Sequence, residues 1–171
     1  MADDADQIFN RILVPLDGSR LAAQILPVVA SLASQLNATV NLVYVLTPLT
    51  YAQKEIMQPG LPWWDEDIEI ANAYLADMTE YLARVGLPVG KEVVLSEDIA
   101  GAILDYGVRM GADLIALATT GAGGISRLLF GGVADEITRR SRTSLLVFHP
   151  DEITGHPVSA AEHEAENHVS A

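Results

Sequence analysis

The sequence predicts an α/β protein with one domain: a three-layer sandwich whose five-stranded parallel sheet carries helices on both faces. Three observations lead there. The chain has 171 residues, half of them hydrophobic, which suits one core of ordinary size. Short continuous apolar runs, the pattern of strands covered on both sides, recur along it. Between them lie segments whose apolar residues step by three and four, the spacing of a helix with one buried stripe.

The first strand is RILVPL (11–16). Asp17-Gly18-Ser19 turns the chain, and Ser19 is placed to cap the helix that follows. Across 20–36, Leu21, Ile25, Val28, Leu32 and Leu36 share a stripe, and Pro27 within it predicts a bend rather than an ended helix. ATVNLVYVL (38–46) is the second strand. Segment 47–64 carries three prolines and no regular period, which predicts a long loop holding Trp63 and Trp64. From 65 to 85, Ile68, Ala71, Leu75, Met78, Leu82 and Val85 mark a second helix, stopped by Gly86 and Pro88. KEVVLS (91–96) is the third strand, and Ile99, Ile103, Tyr106 and Met110 mark a third helix that Gly111 closes. DLIALA (113–118) is the fourth strand. A short helix, VADEITRRS (133–141), has acids early and arginines late, as the helix dipole favours, and SLLVFH (144–149) is the fifth strand.

The net charge of −13 is unevenly placed. Of the 23 acids, eight lie at the ends: Asp3, Asp4, Asp6, Asp151, Glu152, Glu162, Glu164 and Glu166. That leaves 15 against all ten bases, so the body is only mildly acidic. Residues 1–9 form an acidic N-terminal segment, 10–150 the globular body, and 151–171 an acidic tail whose composition predicts disorder. No basic face is available for phosphate contacts, which argues against nucleic acid as a partner. MADDADQ is acidic where a signal peptide would be basic, and no run reaches the length of a membrane span. The expectation is a cytoplasmic protein without membrane insertion. The absence of cysteine excludes disulfides, thiolate metal sites and cysteine nucleophiles. His149, His156, His163 and His168 match no usual ligand spacing, so no metal site is expected.

Ligands of parallel α/β sheets bind beyond the carboxyl ends of the strands, where the strand order reverses. That draws attention to PLDGS after the first strand, the VYVL–TPLT junction after the second, and LIALATTGAGGISRLLFGG (114–132) at the fourth. The glycines of the last stretch fit none of the common phosphate loops. Its only candidate for GxGxxG has Ser126 at the final position, and the only Gly-Lys pair, Gly90-Lys91, enters a strand. The nucleophile elbow GxSxG fails as well, because Gly124-Ile125-Ser126 is followed by Arg127-Leu128.

A different pattern fits. VPLDGS (14–19) resembles the Pro-x-Asp-x-Ser with which universal stress proteins end their first strand. TTGAGGISRLLFGGVADEI resembles their closing G-x2-G-x9-G-[ST] motif, with Gly121, nine residues and then Gly131. The resemblance spans about residues 10–150, the whole predicted body. It implies an adenine-nucleotide alpha-hydrolase-like fold with strand order 3-2-1-4-5. It also implies ATP or ADP as the ligand, alone or with magnesium, in a stress-response module. Adenine and ribose contacts would fall on Pro15, Leu16, Asp17 and Val45. Phosphates would meet Ala118, Gly121, Ala122, Gly123 and Gly124, then Gly131, Gly132 and Val133. Where nucleotide-binding members carry Gly first and Ser or Thr last, this chain has Ala118 and Gly132.

Those two departures keep an alternative open: a family member without nucleotide that works as a dimeric interaction or regulatory module. Asp17 also suits a plain turn, since Asp-Gly is a common turn pair. An enzyme using flavin or nucleotide is a third reading. No pair of carboxylates or Ser/His couple converges on the crevice, so the expectation is no enzyme, with at most slow ATP hydrolysis. The final strand, Ser144–His149, carries no charge or proline to guard its edge, and the resemblance implies a homodimer through it. Any client protein is unidentified.

Overall fold

The computed structural model describes residues 8–47, 63–119 and 132–150. The elements in chain order are β1 (Arg11–Leu16), α1 (Arg20–Ala23), α2 (Leu26–Leu36), β2 (Thr39–Leu46), α3 (Trp63–Ala83), β3 (Val89–Leu95), α4 (Ile99–Met110), β4 (Leu114–Ala118), α5 (Val133–Arg140) and β5 (Ser144–Phe148). All strand pairs are parallel, and the five-stranded sheet has the order β3-β2-β1-β4-β5. The tail 151–171 and most of the glycine stretch lie outside the described residues.

The central strand shows why the apolar runs are continuous. Ile12, Val14 and Leu16 point to a core built with Leu26 and Val29 of α2 and Leu75 and Leu82 of α3. Leu13, one step along, points to a second core with Val43, Ile115, Ile103 of α4 and Ile137 of α5. Successive strand residues face opposite sides, so a strand covered twice must be apolar at every position. The helices before β3 therefore cover one face and those after it cover the other.

The ends of the elements are held by specific groups. Ser19 caps α1 by accepting from the Ala22 N–H at 3.1 Å. Asp113 accepts from the backbone N–H groups of Asn10 (2.8 Å) and Arg11 (3.0 Å), which fastens the start of β1 beside the start of β4. Gly111 ends α4 with φ at 68°, where a Cβ would also meet the Arg11 guanidinium. Asp98 caps α4 by accepting from the Gly101 N–H at 2.7 Å, and it also meets Arg140 at 3.2 Å. The Gly101 N–H, and after it Arg140, hold the Asp98 carboxyl below the ordinary carboxylate range.

Three local expectations need correction. Pro27 does not bend one helix; the chain makes two, and Pro27 lies in the first turn of α2. There its missing N–H costs nothing, because first-turn donors have no intrahelical acceptor. Trp63 and Trp64 do not belong to the loop; they open α3, directly after Pro62. Val85 is not part of the buried stripe, being 55% exposed beyond the end of α3. Arg140, at the end of α5, ties that helix to the start of α4.

Candidate functional site

Register fixes which residues share the carboxyl rim of the sheet. Leu16 lies opposite Tyr44, and Ala118 lies opposite Phe148. The pairing of Leu13 with Ile115, continued three steps, brings Ala118 level with Leu16. One step further, Asp17 leaves β1 level with Val45 in β2. The helices that follow β1 cover one face of the sheet, and α5, the next element after β4, covers the other. That divergence is the switch point at which a crevice forms.

The rim has an apolar floor and polar edges. Leu16 is buried, Pro15, Val45 and Ala118 are half-buried, and Asp17 and Gly18 are exposed. Asp17 Oδ1 accepts from the Ser19 N–H at 2.9 Å, so the carboxylate does serve the turn. Among the described residues it has no other side-chain hydrogen bond, so Oδ2 remains an unshared acceptor at the end of β1. Gly18 adopts φ of 81°, and a Cβ there would stand 3.3 Å from the Tyr44 hydroxyl. That hydroxyl donates to the Asp17 carbonyl at 3.1 Å.

Tyr44 packs edge-on against Tyr74 of α3, with ring centroids 6.0 Å apart and planes at 77°. The Tyr74 hydroxyl is buried without a hydrogen-bond partner among the described residues. Burial first, then the Asp17 carboxylate and Tyr44, push its pKa up to about 12. Tyr44 is raised too, chiefly by burial and then by Asp17 and Asp67. Neither tyrosine was singled out from sequence. The available signal was strand alternation: if Val45 faces the α4–α5 side, Tyr44 must face the other.

The next element after β4 is α5. Gly132 is its N-cap in extended conformation and Val133 its first residue, and no side chain caps this end. The first N–H groups of such a helix lack internal acceptors and carry the positive end of its dipole. Asp135 and Glu136 lie in this first turn, but each is paired one turn on: Asp135 with Arg139 at 3.0 Å and Glu136 with Arg140 at 2.7 Å. Gly121, Ala122, Gly123, Gly124 and Gly131 lie outside the described residues. Thus Pro15, Leu16, Asp17, Val45 and Ala118 share the rim, while Gly132 and Val133 head the helix that follows β4.

A separate open cleft of about 400 Å³ lies between the end of β3 and α4, lined by Ser96, Asp98, Asp105, Arg109 and Arg140. Its cations are already engaged. Arg140 serves Asp98 and Glu136, while Arg109 meets Glu92 at 3.6 Å and lies 5.3 Å over the Tyr106 ring. The rim, which keeps an unshared acceptor at Asp17 over an apolar floor, is the better candidate. Among the described residues no group of three or more His, Cys, Asp or Glu side chains could hold a metal ion, and no helix is long and apolar enough to cross a membrane.

These features define a doubly wound α/β protein with a switch point between β1 and β4. Residues 9–149 match the universal stress protein family, and the chain belongs to that family. Universal stress protein MJ0531 of Methanocaldococcus jannaschii is 23% identical over 150 residues, covering 84% of each chain. The structure of hypothetical protein MJ0577 superposes with a TM-score of 0.70 at 21% identity, covering 84% of this chain and 98% of that one. A universal stress protein from Archaeoglobus fulgidus, solved in complex with dAMP, gives a TM-score of 0.60 at 20% identity, covering 82% of this chain and 98% of that one. The fold is the adenine-nucleotide alpha-hydrolase-like one expected from the resemblance.

The tyrosine pair makes a pH prediction. A tyrosine in the unfolded chain releases its proton near pH 10.0, whereas folded Tyr74 keeps it to about 12. Between those values the folded state holds more protons, so this contribution to stability is complete below pH 10 and is lost as pH rises towards 12. Denaturant titrations across that window are expected to show a steeper loss for the unaltered protein than for Tyr74→Phe. Equal slopes would mean that Tyr74 is solvated.

Proposed function

We propose that this universal stress protein binds an adenine nucleotide, ATP or ADP, at the carboxyl rim of its sheet. The observation that carries this reading is the carboxyl rim of β1 and β2, where Asp17 keeps an unshared carboxylate oxygen level with the half-buried Val45. The uncapped N-terminus of α5, the next element after β4, adds helical N–H donors without internal acceptors. Asp17 accepts from a ribose hydroxyl or the adenine amine. Leu16, Pro15 and Val45 supply an apolar wall, and the N–H groups at Gly132 and Val133 receive phosphate. The dAMP complex of the Archaeoglobus fulgidus relative supports an adenine nucleotide as the ligand class.

The replacement at Gly132 has a bounded cost. A serine or threonine there would add one neutral hydrogen bond, worth about 0.5–1.5 kcal/mol, or roughly tenfold in Kd at most. The backbone donors and the helix dipole remain. The acids behind them are offset by Arg139 and Arg140, so the electrostatic sign at this helix end still suits an anion. Weakened binding, rather than none, is the outcome of that balance. Magnesium, if carried, arrives with the phosphates.

Binding rather than turnover is the function, with hydrolysis at most slow, in a cytoplasmic stress-response module that acts on a client protein. His149 is exposed just past the end of β5, two strands away from Asp17 at the end of β1. Among the described residues β5 pairs only with β4, and Val147 is 38% exposed. An unguarded apolar edge favours pairing with its own copy in a closed two-fold arrangement. The chain is accordingly a homodimer through Ser144–His149. Ala118 and Gly132 favour a second reading, a dimeric interaction module without nucleotide.

Asp17→Ala is expected to weaken ATP binding at least several-fold by calorimetry while circular dichroism stays unchanged. Unchanged affinity in the folded variant would remove Asp17 from the site. Light scattering is expected to give the mass of a dimer for the unaltered chain and of a monomer for Val147→Pro. A monomeric unaltered chain at micromolar concentration would rule out the β5 interface.

A further inference from the structure

We propose that Tyr44 is the positioning residue of this site: its hydroxyl and ring fix the Asp17–Gly18 turn that aims Asp17 at the nucleotide. The inference deepens the nucleotide-binding reading and rests on it. Asp17 and Gly18 are exposed and follow the last residue of β1, so β-pairing does not hold them. Two local bonds shape the turn, the Ser19 N–H to Asp17 Oδ1 and the Tyr44 hydroxyl to the Asp17 carbonyl. Only the second reaches outside the turn, and it ties Asp17 to the strand that carries Val45.

The tie is rigid at its far end. Tyr44 belongs to β2, which is paired on both sides, and its ring is braced edge-on by Tyr74. Contact works in both directions. Gly18 holds a left-handed conformation, and its Cα side passes so close to the Tyr44 hydroxyl that an added Cβ would come within 3.3 Å. The turn thus sits directly on the tyrosine. Because burial raises the Tyr44 pKa, the hydroxyl keeps its proton and remains a donor throughout the neutral range. The two proposed nucleoside contacts, Asp17 and Val45, are therefore set relative to each other by the residue next to one and bonded to the other.

A residue that acts through Asp17 has a distinctive signature in a double-mutant cycle. The full-length chain, Tyr44→Phe, Asp17→Ala and the double variant are titrated with ATP by calorimetry, and each is melted. Tyr44→Phe keeps the ring on Tyr74 and removes only the hydroxyl. It is expected to weaken ATP binding about three- to tenfold, the worth of one neutral hydrogen bond, with little change in melting temperature. In the Asp17→Ala background the same change should cost less than about twofold, because the group it positions is gone. If Asp17→Ala binds too weakly to measure, Asp17→Asn, which keeps an acceptor for the Ser19 N–H, serves as the background. Unchanged affinity in Tyr44→Phe, or an equal loss in both backgrounds, overturns the positioning role alone. An unaltered chain that binds no ATP overturns the nucleotide reading and this inference with it.

Discussion

Everything in this molecule follows from a sheet that must be covered on both faces. β1 is buried at Ile12, Leu13 and Val14 without a break, so neither side of the central strand can be left to water. A chain that adds β2 and β3 to one edge through helices on one face must cross over to cover the other. It does so between β3 and β4, with α4, and α5 then covers the same second face. The right-handedness of such crossovers leaves little choice of topology. The crossing also makes the switch point, because β1 and β4 become neighbours whose following helices pack on opposite faces of the sheet. The site is thus a by-product of burial before it is anything chemical.

Around that switch point the chain places few charges and keeps them apart. Asp17 is an exposed acceptor on the β1 side, and the α5 N-terminus offers donors on the β4 side. Arg140 does double duty, neutralising Glu136 near those donors and reaching Asp98 at the cap of α4. The second contact fixes the end of α5 against α4. On the opposite face, Tyr44 and Tyr74 brace the turn that carries Asp17. Apolar burial sets the site's location, and a handful of long-range polar contacts sets its geometry.

Legibility in the sequence divides along the same line. The strands could be read because double burial makes them continuous apolar runs, and the caps at Ser19 and Gly111 could be read because their chemistry is local. Pro27 was harder. A proline permits either a bend or a fresh helix start, and the burial of both Ala23 and Ile25 favours the fresh start. Trp63 and Trp64 looked like loop because the prolines before them dominate the segment, although a proline just ahead of a helix is common. The Tyr44–Asp17 and Arg140–Asp98 contacts join residues 27 and 42 positions apart, and no local rule announces such pairs. At the candidate site, Asp17, Val45 and Gly132 were named through family resemblance, whereas the residue that braces Asp17 required the fold.

Equilibrium dialysis of the full-length chain against labelled ATP tests the nucleotide-binding claim most directly. Saturable uptake approaching one nucleotide per chain, displaced by unlabelled ATP and reduced by Asp17→Ala, is the expected result. Absence of saturable uptake up to millimolar ATP would contradict it and leave the chain as an interaction module whose crevice holds no nucleotide.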